Sequence, residues 1–408
     1  MKKHTDIILA AVLLCAAVLL AACAAPAPAG KDSVRVSAAD EVSSQPEAVS
    51  LSDTALVIGK RLSHTLTASG AEDVSFATSD EQIASVDETG RVTAVGVGEC
   101  DITARGREGS EAVCHVTVKK VCYLSFDDGP NENTQDILAA LKENDAVATF
   151  FVVGSKYLPL TKDIRAQGSM VGLHTLSHDY KVCYKTVYSY YRGLDKLSDT
   201  VEQYTGERPT LIRYPGGTHN AVSDALLMRR VLSGAHDLGF RPFDWTSSAG
   251  DTSLKHAGAD FSFEQVKKSC VRDEEIILMH EKKFNVAALR KIIPYLRENG
   301  YIFATLDQYP DECYTAKPRY SRQHADLPAT SVRVTHADYT LRVGDEFTLT
   351  ARMTPGSSTD FVRWESADPA IATVTPYGTV TGVSKGTADI RAITSSGQQG
   401  VCHLTVKG

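Results

Sequence analysis

The sequence predicts a multidomain protein in which a central α/β segment with a parallel sheet is flanked on each side by a small all-β sandwich. Three observations carry that prediction. The chain has 408 residues, more than one ordinary hydrophobic core spans, so several domains are expected. A pattern that begins at Val74 recurs from Val362. Between the two copies, short apolar runs alternate with helical stretches, the texture of a parallel sheet with crossover helices.

Composition narrows the function classes. Hydrophobic residues make up 43% and charged residues 23%, the balance of a folded chain rather than a disordered one. A formal net charge of -7 leaves no electrostatic footprint for nucleic acid, and none is expected as a partner. It also disfavours long-range attraction to an anionic wall or membrane surface.

At the N-terminus, Lys2 and Lys3 precede an apolar run from Ile7 to Leu20. That run is shorter than the roughly 18 residues of a spanning helix, so residues 1–22 read as a signal peptide. Leu20-Ala21-Ala22-Cys23 resembles the lipobox of bacterial lipoproteins. The resemblance implies acylation at Cys23, a membrane anchor, and a place on the outer face of the bacterial cell membrane. Residues 23–50 are rich in Ala, Pro and Ser, as a flexible tether would be. Of nine cysteines, Cys15 leaves with the signal. Cys100, Cys114, Cys122, Cys183, Cys270, Cys313 and Cys402 are scattered, without metal-finger spacing. They read as buried small hydrophobes rather than a disulfide framework.

The repeat comprises VSFATSDEQIASVDETGRVTAV at 74–95 and VRWESADPAIATVTPYGTVTG at 362–382, and each copy later ends in Val-Cys-His-x-Thr-Val-Lys. Apolar and polar residues alternate in short runs broken by Gly, Asp and Ser, which indicates half-buried strands. The pattern resembles bacterial immunoglobulin-like group 2 domains, here spanning 51–119 and 328–408, with a linker at 313–327. No row of exposed aromatics suggests sugar stacking, and Trp364 is expected in the sandwich core. A spacer or wall-proximal scaffold is the expected role of these modules, a glycan binder the alternative.

In the central segment, 120–312, apolar runs fall at 122–126, 148–153, 170–173, 211–213, 240–245, 276–279 and 301–306. Helical stretches are expected at 132–144, at 155–167 and in a long region reaching about 205. Sites on such folds lie at the C-terminal ends of the strands, and four polar blocks follow these runs. Ser125-Phe126-Asp127-Asp128-Gly129-Pro130 puts two carboxylates at a strand end, where burial demands a cation. One can reach a metal while the other accepts a proton; a helix-capping Asp before a turn is the bland alternative. His174 and His178, four apart, would share one face of a helical turn, and an Asp would complete a two-His, one-carboxylate set. Arg213-Tyr214-Pro215-Gly216-Gly217 offers an Arg to pair with a carboxylate. Leu278-Met279-His280 ends an apolar run in an imidazole.

Together and in this order, the blocks resemble the NodB-homology polysaccharide deacetylases. The resemblance implies a distorted (β/α) barrel holding a divalent metal on Asp128, His174 and His178. Zinc is expected, and cobalt, nickel or manganese would suit the same ligands. It makes Asp127 the general base, His280 the general acid, and Arg213 the partner that orients Asp127. The backbone N–H of Tyr214 would stabilise the oxyanion, and Leu278 would line the pocket for the acetyl methyl. The chemistry requires these parts: an amide carbonyl must be polarised, water activated, and the amine protonated before it leaves.

The sequence also departs from the family pattern. Asp179 stands where the family has Pro after the second histidine, and is read as solvated. The aspartate-tryptophan pair is blurred across Asp244, Trp245 and Asp251; Asp251 is favoured as the acid that tunes His280, and Trp245 as a groove wall. His219 reads as a bystander. The expected activity is removal of N-acetyl groups from N-acetylglucosamine or N-acetylmuramic acid in peptidoglycan. Deacetylation of xylan, chitin or exopolysaccharide is the alternative within the same chemistry. A non-catalytic adhesin on the same fold is the alternative outside it. A glycosidase is disfavoured because the two acids are adjacent. A monomer is expected.

Overall fold

The computed structural model describes residues 48–218, 220, 223–253, 258–311 and 326–408. Cys23, His219, Cys313 and most of the segment expected as a linker lie outside them. Among the described residues no helix is long and apolar enough to cross a membrane.

One strand organises the first two-thirds of the described chain. Strand β1, Glu111–Gly129, runs unbroken through the expected domain boundary at 119/120. Its first half belongs to the N-terminal sandwich, pairing parallel with Ala55–Gly59 and antiparallel with Gly98–Arg105. Its second half is the first strand of the central domain. The remaining strands there are β2 (Ala148–Val153), β3 (Met170–Thr175), β4 (Leu211–Ile212), β5 (Arg241–Pro242), β6 (Ser247–Ser248), β7 (Glu274–His280) and β8 (Tyr301–Phe303). The order is β5-β4-β3-β2-β1-β7-β6, and every pairing is parallel, with β8 added beside Lys120–Cys122 at the middle of β1. The edge strands β5 and β6 are joined directly through residues 243–246, so the sheet curls into a distorted barrel rather than an open blade.

Helices α1 (Thr134–Glu143), α2 (Thr161–Ala166), α3 (Tyr180–Cys183), α4 (Val187–Thr205), α5 (Ala225–Asp237), α6 (Ala259–Ser269) and α7 (Lys283–Glu298) accompany the strands. Alternation along the strands divides the side chains between two layers. Cys122, Leu124 and Phe126 of β1 and Ile277 and Met279 of β7 join the core beneath the helices. Val121, Tyr123, Phe151, Leu211, Phe243 and Ile276 fill a smaller interior cluster. Continuing the inner register by twos leads to Ser125 and Asp127 on β1, Leu278 and His280 on β7, and Arg213 after β4.

The C-terminal sandwich repeats the strand order of the first. Asp338–Arg342 pairs parallel with Gln399–Lys407, which pairs antiparallel with Gly386–Thr394, and that with Val362–Ser366. Trp364 is 4% exposed in its core. This sandwich is docked on the central domain. Phe361, 1% exposed, lies in the central core, edge-on to Tyr188 and Tyr191 with centroids 5.8 Å away in each case. The Tyr188 hydroxyl donates to the Val362 carbonyl at 3.0 Å, and Arg230 Nε to that of Ser358 at 2.9 Å. The Tyr377 hydroxyl donates to Asp195.

The N-terminal sandwich meets the opposite end of the barrel, where Lys60 Nζ lies 3.1 Å from Asp273 and Arg61 3.8 Å from Glu274 at the start of β7. Val49, near the beginning of the described chain, donates its N–H to Ser110 Oγ at 3.3 Å, at the outer end of β1. Cys100, Cys114, Cys122, Cys183 and Cys402 are buried and Cys270 is half-buried, all as free thiols. They are small core residues, as expected.

Candidate metal and catalytic site

Two irregularities in the sheet shape the site. Along β2, Phe151 pairs with Asp127 and Val152 with Gly129, so Asp128 is an extra residue in β1. On the other edge, Val152 pairs with Leu173 and Val153 with Thr175, which leaves His174 as the extra residue in β3. Such bulges re-aim side chains beside active sites. Asp128 also has a φ of 68°, a left-handed conformation that costs a non-glycine residue on the order of 1–3 kcal/mol. In a regular strand it would face the helix layer; here its carboxylate meets two histidines.

Asp128 Oδ1 lies 3.5 Å from His174 Nε2 and 3.3 Å from His178 Nε2. One ligand atom from each of the three residues falls within 4.8 Å of the others. The expectation that the histidines share a helical turn is corrected here. Pairing of β3 with β2 and β4 continues through the first histidine's neighbourhood, so His174 is in the strand, and His178 is in the loop before α3. Asp179 begins α3, its carboxylate accepting from the Lys181 N–H at 2.9 Å.

The donor set fits a divalent cation. His174 Nδ1 is 2.7 Å from the Arg213 carbonyl, which can only accept, so Nδ1 carries the proton and the Nε2 lone pair faces Asp128. Burial pushes the His174 imidazole down, against the pull of Asp127 and Asp128, and a neutral ring is what a metal requires. Asp128 Oδ1 is buried and makes no hydrogen bond among the described residues. A carboxylate oxygen left so between two imidazole nitrogens, that of His174 presenting its lone pair, is unfavourable unless a cation joins them.

Asp127 adjoins that set, its Oδ2 standing 3.9 Å from His174 Nε2, but its other oxygen has a partner of its own. Its Oδ1 accepts from Arg213 Nη1 at 2.9 Å. Arg213 is fully buried and donates also to Ser125 Oγ at 2.8 Å and to the carbonyls of Phe243 and Asp244 at 3.0 Å each. Its guanidinium lies 4.2 Å from the Phe151 ring centroid. Pinned by these partners, it holds Asp127 in one orientation.

Across the mouth, His280 Nε2 is 3.9 Å from Asp128 Oδ2. Of the two acids considered for its partner, Asp251 makes the contact. Asp251 Oδ1 is 2.9 Å from His280 Nδ1, and Oδ2 accepts the His280 backbone N–H at 2.7 Å. Burial would lower the His280 pKa, but the hydrogen bond and charge of Asp251, aided by Asp127 and Asp128, hold it above the usual imidazole value. Burial would raise Asp251, yet the bonds from His280 and Asn285 keep it below the usual carboxylate range. Asp244 instead accepts the Thr218 N–H at 3.1 Å. Trp245 backs the same turn, close enough that a Cβ on Gly217 would come within 2.9 Å of its ring. Tyr214 and Leu278 are both buried.

Two residues of this constellation, Asn285 and Glu281, escaped the sequence reading, and a third, Ser125, stood in its first block without a role. Ser125 relays between Arg213 and the Ile277 carbonyl. Asn285 donates to Asp251 at 2.6 Å and to the His280 carbonyl at 2.9 Å. Glu281 is buried next to His280, and burial pushes its carboxyl up to about 7. A polar residue on the buried face of α7's first turn was a visible signal for Asn285; no pattern pointed to Glu281.

The central and flanking segments are similar to known proteins. A family model described as polysaccharide deacetylase matches residues 115–241, and one described as bacterial Ig-like domain (group 2) matches 38–116 and 328–403. A peptidoglycan-N-acetylglucosamine deacetylase of Bacillus cereus is 32% identical over 45% of this chain and 68% of its own length. A peptidoglycan-N-acetylmuramic acid deacetylase of Bacillus subtilis is 32% identical over 47% of this chain and 38% of its own. Among solved structures, the catalytic domain of peptidoglycan N-acetylglucosamine deacetylase from Eubacterium rectale is 28% identical. It covers 49% of this chain and 94% of that one, at a TM-score of 0.47. The chain thus belongs to the polysaccharide deacetylase family of hydrolases, with its catalytic domain set between two bacterial immunoglobulin-like group 2 domains.

Proposed function

We propose that the protein is a metal-dependent deacetylase of peptidoglycan, removing acetyl groups from N-acetylglucosamine or N-acetylmuramic acid residues. The observation that carries this is the division of labour between two adjacent carboxylates: Arg213 engages Asp127, while Asp128 faces two metal-competent histidines. The names of the relatives support the polymer, since they act on one or the other of these two sugars.

Asp128, His174 and His178 would hold one divalent ion, zinc by preference, supplying Lewis acidity to the acetyl carbonyl and the attacking water. The remaining work falls to the chain's own groups. Asp127 accepts the water proton at Oδ2 while Arg213 holds Oδ1. The backbone N–H of Tyr214 donates to the oxyanion as the carbonyl carbon becomes tetrahedral. His280 then protonates the departing nitrogen from Nε2 as the C–N bond breaks, and Asp251 stabilises the imidazolium until that transfer. Leu278 offers the acetyl methyl an apolar surface, and Trp245 walls the groove. The enzyme would act outside the cell, anchored at Cys23 to the outer face of the membrane, with the immunoglobulin-like domains as spacers.

The test is acetate release from N-acetylglucosamine oligomers and from peptidoglycan by the mature protein, metal-stripped and then reloaded with zinc or cobalt, beside Asp128→Ala. The reading predicts acetate that disappears on chelation, returns with metal and is absent in the variant. Acetate from acetylated xylan alone would refute the amide substrate, and no acetate from any of these polymers would refute the enzyme.

A further inference from the structure

Glu281 follows His280, is 3% exposed, and has no part in the steps above. Its Oε2 accepts from the Thr134 hydroxyl in the first turn of α1. Its backbone carbonyl accepts from the side-chain amides of Asn131 and Asn133, each at 3.0 Å. Its Oε1 is buried without a hydrogen-bond partner among the described residues and lies against Gly129.

A Cβ on Gly129 would fall 1.6 Å from Glu281 Oε1, 2.2 Å from Cδ and 2.8 Å from Oε2. All three nearest atoms belong to this one side chain. Gly129 is not among the glycines of positive φ, so the turn needs a glycine here for room and not for conformational freedom. The Asp127-Asp128-Gly129 turn and the Glu281 carboxyl are therefore shaped to each other.

We propose that Glu281 is a positioning residue whose carboxyl, wedged under Gly129 and bonded to Thr134, sets where the Asp127–Asp128 turn stands relative to His280. It links the end of β7, which carries His280, to the end of β1, which carries Asp127 and Asp128. It acts through backbone placement and touches no substrate. The proposal rests on the deacetylase reading for its rate measurement, but its main readout, metal affinity, is independent of turnover.

The experiment compares wild type, Glu281→Ala, Glu281→Gln, Gly129→Ala and the double variant Gly129→Ala/Glu281→Ala in the full mature chain. Zinc affinity is measured by competition with a chromophoric chelator, well below each unfolding midpoint, and kcat and KM are measured in parallel. Residues that orient metal ligands change affinity by roughly 10–100-fold, and a loss of that size is expected for Glu281→Ala and Gly129→Ala. Glu281→Gln, which keeps the wedge, should stay near wild type. The double variant should bind zinc more tightly than Gly129→Ala alone, because the clash is gone. Its kcat should recover with little movement in KM. Should Gly129→Ala not fold, the contrast between the Ala and Gln variants at 281 decides alone. Glu281→Ala with wild-type zinc affinity, even if it melts earlier, overturns the proposal. So does a double variant no better than Gly129→Ala. If wild type releases no acetate, the deacetylase reading fails while the affinity series still tests the wedge.

Discussion

Phe361→Ala should loosen a domain to which residue 361 does not belong by sequence. The ring is 1% exposed and packs edge-on against Tyr188 and Tyr191 of α4. It presses so closely on α5 that a Cβ on Gly234 would lie 2.6 Å from it. Truncating a buried phenylalanine costs about 3–5 kcal/mol, and two edge-to-face pairs at roughly 0.5–1.5 kcal/mol each fall within that sum. The surviving polar contacts, Arg230 to Ser358 and Tyr377 to Asp195 among them, contribute only about 1 kcal/mol apiece. The ring is therefore the largest single contribution to the docking.

The chain has two tryptophans, Trp245 in the barrel and Trp364 in the C-terminal sandwich. In a Trp364→Phe background, fluorescence of Trp245 follows the barrel alone during urea unfolding. Phe361→Ala in that background should bring the barrel transition to lower urea by an amount equivalent to about 3–5 kcal/mol. Deletion from Asp326 onward should do at least as much. A barrel transition unmoved by either change would refute the shared core.

Gly234→Ala should destabilise the protein, although Ala in place of Gly ordinarily favours a helix by about 1 kcal/mol, because the new methyl meets Phe361; thermal melts read the sign, and a stabilised variant would contradict the contact. Asp251→Asn removes the charge that holds His280 above the usual imidazole value, so His280 should lose its proton at lower pH. The alkaline limb of the kcat/KM profile should move toward acid and the acid limb stay put, whereas an unmoved alkaline limb would exclude His280 as the proton donor. The same pair makes wild-type stability depend on pH from both sides. The share from His280, whose folded pKa is raised, is full below about 6.5 and fades as pH climbs through the folded value. The share from Asp251, whose pKa is depressed, fades as pH falls through its own folded value. Chemical unfolding across pH, in wild type and Asp251→Asn, measures both.

Strand periodicity made much of the site legible. Apolar runs ending in Asp127, Arg213 and His280 put those side chains at strand ends, and the alternation of β1 and β7 does turn them inward. What periodicity cannot show is its own interruption. Asp128 and His174 are extra residues that their neighbours do not match, and the helical turn assigned to His174 and His178 followed from spacing alone. The ambiguity between Asp244 and Asp251 was likewise beyond spacing, since it depends on where β6 ends. Glu281 resembled any charged residue after a strand, because its burial comes from a glycine 152 positions earlier in the chain. Phe361 read as one more residue beside a sandwich strand, because long-range docking leaves no local pattern.

The unbroken course of β1 also fixes a working distance. Val49 contacts Ser110 at the outer end of that strand, and Asp127 lies near its inner end, about 55 Å away at roughly 3.3 Å per residue. A pull on the chain ahead of residue 49 would be transmitted along a hydrogen-bonded ribbon rather than through a slack joint. The catalytic mouth therefore stands off from residue 49 by a nearly constant length, at the other end of the strand.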